Sequence, residues 1–237
     1  MSDQNSSEPS YADRRVSYQA GELPDSDLAV TPLRQFERWY ADAVEAGLAE
    51  PNALVLATVD AAGTPSTRTV LLKQADPRGF VFFTNYGSRK GRAIESGTGA
   101  VALTFPWHQV QRQVCVLGRA ERVPVDETRS YFGQRPWGSR IGAWASRQSE
   151  PIAGREPLEQ RYAELAARWP DHGGAEDVPV PETWGGYVVR PVEVEFWQGR
   201  VSRLHDRLAF VAVPGGQGGP GPAMDDASGW RVERRQP

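Results

Sequence analysis

The sequence predicts a mainly β domain with flanking helices, in which antiparallel strands form a meander that closes into a barrel. Five short segments rich in Val, Leu, Phe and Thr follow one another between residues 53 and 123. Turn-forming residues separate them, such as Asp-Ala-Ala-Gly at 60–63 and Asp-Pro-Arg-Gly at 76–79. The chain shows no G-x-G-x-x-G or Walker pattern, so a Rossmann or P-loop nucleotide site is unsupported.

The first predicted element is a helix with Thr31 as its N-cap, Pro32 in its first turn and Gly47 at its end. Apolar side chains follow at helical spacing, at Leu33, Phe36, Tyr40 and Val44. Strands are then expected over residues 53–60, 66–74, 80–84, 100–105 and 110–123.

The second half of the chain is predicted to begin with helices and to return to strands. Helices are expected over residues 126–132, 140–146 and 155–169, and strands over 186–190, 192–197, 203–213 and 230–234. The Gly/Pro-rich segment 214–222 predicts a flexible hairpin tip. We therefore expect a flexible N-terminal segment over residues 1–30, followed by a single domain over 31–237.

The composition excludes several classes of protein. A formal net charge of −3 argues against a general nucleic-acid binder. The single cysteine, Cys115, excludes an intrachain disulfide and is interpreted as an inert core thiol, and the spacing of Cys and His predicts no metal site. With no apolar run near the ~18 residues of a membrane span and no signal peptide, we expect a cytoplasmic protein with neither membrane nor nucleic-acid partners.

The segment 203–207 reads Arg-Leu-His-Asp-Arg and is the most informative stretch of the chain. In a strand, Arg203, His205 and Arg207 share one face, because side chains alternate with period two. Three cationic or titratable groups side by side repel one another unless an anion lies across them. Nearby Trp197 and two upstream basic clusters favour a ligand, and the alternative is a solvated strand face.

The first upstream cluster is predicted at the start of a helix, where Ser88 precedes Arg89, Lys90 and Arg92. Cations in a first turn oppose the helix dipole, which favours negative charge there. A phosphate bound by the free backbone N–H groups, the Ser hydroxyl and Arg89 with Lys90 removes the conflict. The alternative is an exposed basic loop.

Other polar groups are candidates for the same kind of ligand. Arg68 and Lys73 lie on opposite faces of one predicted strand, and either serve different groups or are edge charges. Tyr131, Arg135 and Ser139 are spaced i, i+4, i+8 and form a second candidate phosphate clamp, although Pro136 breaks the helix. Glutamine amides bind the edge of a heterocycle or only satisfy backbone groups, and they occur here at Gln113 and at Gln148, beside Ser149.

Taken in order, these segments resemble the pyridoxamine/pyridoxine 5′-phosphate oxidases, FMN enzymes of the split-barrel fold. The resemblance runs from about Arg15 to the C-terminus and implies an antiparallel, Greek-key-like six-stranded barrel with surrounding helices. It is carried by the segments 68–73, 83–90, 105–114, 135–149, 184–187 and 195–207.

The resemblance implies that FMN is bound at a homodimer interface by residues of both chains. The implied FMN residues are Arg68, Thr69, Val70, Leu71, Leu72, Lys73, Phe83, Thr84, Ser88, Arg89, Lys90, Gln113, Gln148, Ser149, Trp197 and Arg207. It also implies that pyridoxamine or pyridoxine 5′-phosphate passes a hydride to the flavin, giving pyridoxal 5′-phosphate. Dioxygen then reoxidises the flavin and yields hydrogen peroxide.

For the substrate, the resemblance implies a phosphate site made of Lys73, Tyr131, Arg135 and Ser139. Arg203 and His205 are the implied catalytic residues, which pack against the pyridine ring and orient it. Arg15 and Tyr18 match part of a segment that covers the substrate in the family, or make only a tail contact.

Three features depart from the family pattern, and two rival functions stay open. Phe83 stands where Tyr is frequent, Arg235 where Leu is frequent, and the 214–222 insert lengthens a hairpin. One rival is a flavin- or deazaflavin-dependent reductase on the same barrel, which needs no substrate-phosphate clamp. The other is a non-catalytic carrier of FMN or pyridoxal phosphate. The preference for amine or alcohol and a second pyridoxal-phosphate site are left open by the residues.

Overall fold

The computed structural model describes residue 11 and residues 16–19, 21–213 and 221–237 of the chain. Arg15 and most of the Gly/Pro-rich insert lie outside these residues, as does much of the predicted 1–30 segment. The predicted boundary at residue 31 stays a prediction. No helix in the described ranges has the length and apolar character needed to cross a membrane.

Helices and strands follow the predicted order, with small shifts at their ends. The elements are α1 (Pro32–Glu45), β1 (Ala53–Val59), β2 (Pro65–Leu71), β3 (Gln74–Asp76), β4 (Gly79–Asn85), α2 (Arg89–Ser96), β5 (Ala100–Trp107), β6 (Arg112–Arg122), α3 (Val125–Gln134), α4 (Trp137–Ala145), α5 (Glu156–Arg168), β7 (Trp184–Gln198), β8 (Asp206–Ala212) and β9 (Trp230–Arg234). The mainly β class with flanking helices is confirmed.

The strands form one antiparallel sheet that curls into the predicted barrel. Its order is β2-β1-β5-β6-β7-β4-β3, with β8 paired to β7 and β9 paired to β8. The predicted strand 66–74 is divided into two short strands. Strand β2 pairs with β1 up to Leu71, and the chain then crosses to β4, with which β3 pairs. There the backbone N–H of Lys73 donates to the carbonyl of Val81 at 2.8 Å. The chain that follows β2 therefore pairs with β4, and this links the two outer members of the six barrel strands β1, β2 and β4–β7.

Strand β7 changes partner halfway along its length. Its first part pairs with β4 and its last part pairs with β8 on the same edge, while β6 runs along the other edge. Pro191 lies at the change, where a residue without a backbone N–H is tolerated. Two separate strands were predicted here, and the structure shows one continuous strand with a bulge at Val192, which is skipped in the pairing with Leu117 and Gly118 of β6.

Helix α1 closes the barrel core. Thr31 is its N-cap as predicted, with its hydroxyl accepting from the Arg34 N–H at 3.3 Å. Leu33 and Phe36 of the predicted apolar face are buried, but Val44 is 53% exposed and Trp39, which was not predicted, is buried. The ring of Phe36 packs edge-on against Phe80 and Phe105, with centroids 4.9 Å apart in both cases, so α1 is fixed by aromatic contacts at the barrel end.

Candidate functional site

A cleft of about 750 Å³ lies between strands β2 and β4 and helices α2, α3 and α4. It brings together many of the predicted site residues, namely Thr69, Val70, Leu71, Lys73, Phe83, Thr84, Lys90, Tyr131, Arg135, Ser139 and Gln148. Asn85, Gln134 and Trp184 also line it, although the sequence had suggested no role for them. Ser88 and Arg89 flank the wall at the start of α2, and Leu72 is buried beneath it. Ser149 adjoins Gln148 and is exposed.

One end of the cleft is the N-terminus of α2, where Lys90 is only 7% exposed. Its ammonium donates to the hydroxyls of Thr84 (3.1 Å) and Ser88 (3.3 Å) and to the side-chain carbonyl of Gln148 (2.8 Å). Burial, and then the charge of Arg68, lower the pKa of Lys90 to about 8. A buried ammonium with only neutral acceptors fits an anion at this position.

Arg68 adds to the positive charge beside Lys90. Its guanidinium donates to the Leu56 carbonyl (3.2 Å) and to the hydroxyls of Thr58 (2.8 Å) and Ser66 (2.7 Å). Burial and then the charge of Arg89 lower its pKa. Among the described residues, no carboxylate forms a salt bridge with Arg68, Arg89 or Lys90. The structure confirms the predicted helix that begins after Ser88 with cations in its first turn.

The other end of the cleft is built around Arg135. Its guanidinium lies 4.6 Å from the ring centroid of Trp184, and its Nη1 atom is buried with no hydrogen-bond partner in the described ranges. Burial lowers its pKa. A buried guanidinium nitrogen without an acceptor is costly unless a ligand supplies one. This end therefore also fits an anion.

Aromatic rings pack against one another at the Arg135 end of the cleft. The rings of Phe83, Tyr131 and Trp184 stack pairwise, with the Phe83 centroid 4.1 Å from Tyr131 and 5.4 Å from Trp184, and Tyr131 6.2 Å from Trp184. The ammonium of Lys73 lies 5.9 Å from the Tyr131 ring centroid. Lys73, Tyr131, Arg135 and Ser139 thus meet, but not on one helical face, because α3 ends at Gln134 and α4 begins at Trp137. Pro136 sits between these two helices, so the phenol and the hydroxyl come from different helices.

A second cluster of predicted site residues lies at the opposite end of β7. The rings of Trp197 and His205 are 4.6 Å apart, and Tyr18 packs edge-on against both, at 5.8 and 5.7 Å. Arg207 lies opposite Trp197 on β8, and Gln113 lies opposite Trp197 on β6. None of these residues lines the cleft.

The prediction that Arg203, His205 and Arg207 share a strand face is wrong. Strand β8 begins at Asp206, and residues Val201–Arg203 form a 3-10 turn in which Ser202 and Arg203 have positive φ angles of 56° and 62°. The reversal from β7 into β8 requires this turn. Only Arg207 lies in the strand, while Arg203 is exposed on the turn and His205 precedes β8.

His205 is held in a defined tautomer by the backbone. Its Nδ1 accepts the N–H of Arg200 at 3.1 Å, so in the neutral ring Nε2 carries the proton. Burial and then the charge of Arg203 lower its pKa. The neutral ring is thus favoured near neutral pH, with one N–H available as a donor.

The second cluster continues into an exposed apolar surface on the outside of the barrel. Gln113, Cys115 and Leu117 alternate along β6 with Val114 and Val116, which are buried in the core. Cys115 therefore lies on the outer face and not in the core as predicted, although burial still raises its pKa. A groove of about 390 Å³ continues this face and is lined by Ala57, Val59, Ala102, Leu117 and Val192 among others. Such apolar faces are typical of subunit interfaces.

The cleft and the second cluster are separated along β7. Trp184 lines the cleft at one end of the strand and Trp197 belongs to the second cluster at the other. At about 3.3 Å per residue, the two positions are about 40 Å apart along the strand. One chain therefore presents two separate groups of predicted site residues. In the described part of the chain, no group of three or more His, Cys, Asp or Glu side chains forms a metal site.

Comparison with known proteins gives matches over most of the chain. A family model described as pyridoxamine 5′-phosphate oxidase matches residues 40–168, and one described as the pyridoxine 5′-phosphate oxidase C-terminal dimerisation region matches residues 184–237. Curated pyridoxine/pyridoxamine 5′-phosphate oxidases are similar over nearly their whole length. That of Kineococcus radiotolerans is 56% identical over 95% of this chain and 98% of its own, and that of Streptomyces avermitilis 48% over 94% of both.

Two solved structures share the fold. The structure of PhzG from Burkholderia lata 383, in complex with tetrahydrophenazine-1-carboxylic acid, has a TM-score of 0.78 and 30% identity, covering 94% of this chain and 100% of that one. A pyridoxamine 5′-phosphate oxidase-related, FMN-binding protein from Nostoc punctiforme has a TM-score of 0.63 at 15% identity, covering 85% and 97%. The matched dimerisation region indicates that this chain forms a homodimer.

The start of α2 depends on a close backbone approach, which gives a test of the cleft geometry. A Cβ atom on Gly91 would lie 2.1 Å from the Tyr86 carbonyl oxygen, whereas one on Gly142, a helical glycine that also lines the cleft, would meet nothing within 4 Å. We predict that Gly91→Ala lowers the free energy of unfolding by about 2 kcal/mol or more, measured by urea denaturation. Gly142→Ala is the control and should be neutral or stabilising by up to about 1 kcal/mol. Equal stability of the two variants would contradict the proposed fit.

Proposed function

Because this chain belongs to the pyridoxamine 5′-phosphate oxidase family, we propose that it oxidises pyridoxamine and pyridoxine 5′-phosphate to pyridoxal 5′-phosphate. FMN is the proposed cofactor, dioxygen the electron acceptor and hydrogen peroxide the second product. The observation that supports this most directly is the pair of anion sites in one cleft, at Lys90 and at Arg135. A cofactor and a substrate that each carry one phosphate account for both. A cytoplasmic location remains a prediction from the sequence.

The α2 end of the cleft fits the phosphate of FMN. Arg89 and Lys90 would neutralise it, and Ser88 with the N-terminal N–H groups of α2 would donate hydrogen bonds to it. Arg68, the strand segment 69–73, Phe83 and Thr84 would form the wall beside the cofactor, and Gln148 with Ser149 would complete it. When bound, FMN supplies the hydride acceptor and the path for electrons to dioxygen.

The Arg135 end of the cleft fits the phosphate of the substrate. The orphaned Nη1 of Arg135 would gain an acceptor, and Lys73, Tyr131 and Ser139 would add a second cation and two hydroxyl groups. Stacking of Tyr131 on Phe83 limits the freedom of the phenol before the substrate binds. Anchoring the phosphate here positions the reactive carbon, which is the main contribution that protein side chains make to a hydride transfer.

The second cluster is proposed to complete the site from the partner subunit. Gln113, Trp197 and Arg207 would contact the flavin, and Arg203 with His205 would lie on the pyridine ring. These residues are far from the cleft along β7 and adjoin the exposed apolar face, so a second copy packed on that face would bring them to its cleft. His205 would then orient the pyridine ring by donating a hydrogen bond from its Nε2–H, and in this role it does not remove a proton from the substrate. Tyr18, which packs on Trp197 and His205, would cover this side of the substrate.

A second candidate function comes from the structural neighbour that binds a tricyclic acid. The PhzG structure holds tetrahydrophenazine-1-carboxylic acid, a carboxylic acid without a phosphate. The unpaired Arg135 and its neighbours favour a phosphate substrate for this chain. The assay that separates the candidates is turnover of each compound by the same preparation. A reductase or a carrier would consume no dioxygen with pyridoxamine 5′-phosphate.

The proposed activity predicts a specific defect at Arg135. The protein with FMN should consume dioxygen and form hydrogen peroxide and pyridoxal 5′-phosphate from pyridoxamine 5′-phosphate. Arg135→Met should raise KM for this substrate about ten-fold or more, because a charge-assisted hydrogen bond contributes roughly 1.5–3 kcal/mol, while the Kd of FMN stays the same. Arg129→Met, at an exposed position of the helix α3 that precedes Arg135, is the control. Absence of oxygen consumption by the unmodified protein would reject the function, and an unchanged KM in Arg135→Met would reject the clamp.

The lowered pKa of Lys90 predicts a pH dependence of FMN binding. A phosphate monoester is a dianion above its second pKa of about 6, so Lys90 is the group that changes charge between pH 7 and 9.5. Loss of its proton above about pH 8 removes the attraction, and the Kd of FMN should rise about ten-fold over this range. Lys90→Arg keeps its charge and should show a flatter profile in fluorescence titrations. Parallel profiles for the two proteins would show that Lys90 does not govern binding.

A further inference from the structure

A buried carboxylate to which the sequence analysis assigned no role lies beside Arg207. Glu195 on β7 is only 6% exposed and accepts hydrogen bonds from two guanidinium groups. Arg207 donates from Nη2 to both of its carboxylate oxygens, at 3.0 and 2.8 Å, and from Nε to Oε1 at 3.2 Å. Arg235 donates to Glu195 Oε2 at 3.2 Å and also pairs with Glu193 at 2.6 and 2.7 Å.

The two residues that follow β9 contact both members of the Glu195–Arg207 pair. Arg235 holds the carboxylate, and the carbonyl of Gln236 accepts from Nη1 of Arg207 at 3.1 Å. The Arg207 side chain is therefore fixed on two sides before any ligand binds. A fork-like contact of this kind restricts the guanidinium far more than a single hydrogen bond does.

The pair is placed where it bears on the proposed flavin contacts. Glu195 and Trp197 lie two residues apart on β7 and share its outer face, and Arg207 is the direct cross-strand neighbour of Trp197. Unlike the cleft cations, Arg207 already has a carboxylate partner. It is thus suited to act as a directed hydrogen-bond donor more than as a counter-ion for phosphate.

We propose that Glu195 is a positioning residue for FMN binding, which acts by holding the Arg207 guanidinium in its binding orientation, with Arg235 and Gln236 supporting the pair. This inference rests on the proposed function, since it takes Arg207 to contact FMN. A side chain ordered before binding loses less conformational entropy when the ligand arrives, so removing its anchor weakens binding.

The test is a double-mutant cycle on the Kd of FMN, measured by quenching of flavin fluorescence. Glu195→Gln should weaken FMN binding about ten-fold or more. Glu193→Gln is the matched control, because Glu193 pairs with Arg235 but not with Arg207, and its Kd should stay within about two-fold of the unmodified protein. In an Arg207→Met background, Glu195→Gln should have no further effect.

Two results would overturn the inference. One is an unchanged Kd in Glu195→Gln. The other is the same loss in the presence and absence of Arg207, which would mean that Glu195 only supports the fold. If Glu195→Gln does not fold, Arg207→Lys takes its place: lysine keeps the charge but lacks the fork, so a comparable loss is expected and an unchanged Kd contradicts the proposal. Failure of the unmodified protein to bind FMN would instead reject the proposed function.

Discussion

Strand β7 is the constraint on which the arrangement of the candidate site depends. One edge of β7 pairs with β4 before Pro191 and with β8 after it. The first part of β7 therefore belongs to the barrel wall at the cleft, and the last part to the hairpin that carries Trp197 and Arg207. Because the two groups of residues lie at opposite ends of this strand, it keeps them apart within a chain. A site that needs both groups then needs two chains, and the exposed apolar face beside the second group offers the surface for pairing.

The cations of the cleft and those of the second cluster differ in whether a carboxylate pairs with them. In the cleft, Lys90 and Arg135 are buried against neutral or aromatic neighbours, and within the described ranges neither has a carboxylate partner. In the second cluster, Arg207 is paired with Glu195. Unpaired buried charge favours binding of a dianion, whereas paired charge favours a directional hydrogen bond to a polar but uncharged group. The division suits a ligand with a phosphate at one end and a heterocycle at the other.

The fold and most of the cleft were predictable from sequence because their signals are local. Thr31 before Pro32, the turns at 60–63 and 76–79, and Ser88 before three cations each specify backbone geometry within a few residues. The turn at Val201–Arg203 was missed because period-two spacing from 203 to 207 looks the same in a strand and in a reversal. Glu195 and Trp184 lie in segments that carry the family resemblance, but their roles were missed because these depend on partners distant in sequence, at 207, 235 and 135. The positions of Arg15 and of residues 214–220 lie outside the described residues.

Complementation between two inactive variants tests the shared site most directly. Arg135→Met removes a cleft residue and Arg203→Leu a residue of the second cluster, so each variant alone should have little activity at substrate concentrations below the KM of the unmodified protein. In a purified heterodimer of the two, one site combines both changes and the other has neither, so about half of the unmodified activity should return. A heterodimer as inactive as its parents would show that the cleft and the second cluster of one chain act together, and would contradict a site built from two subunits.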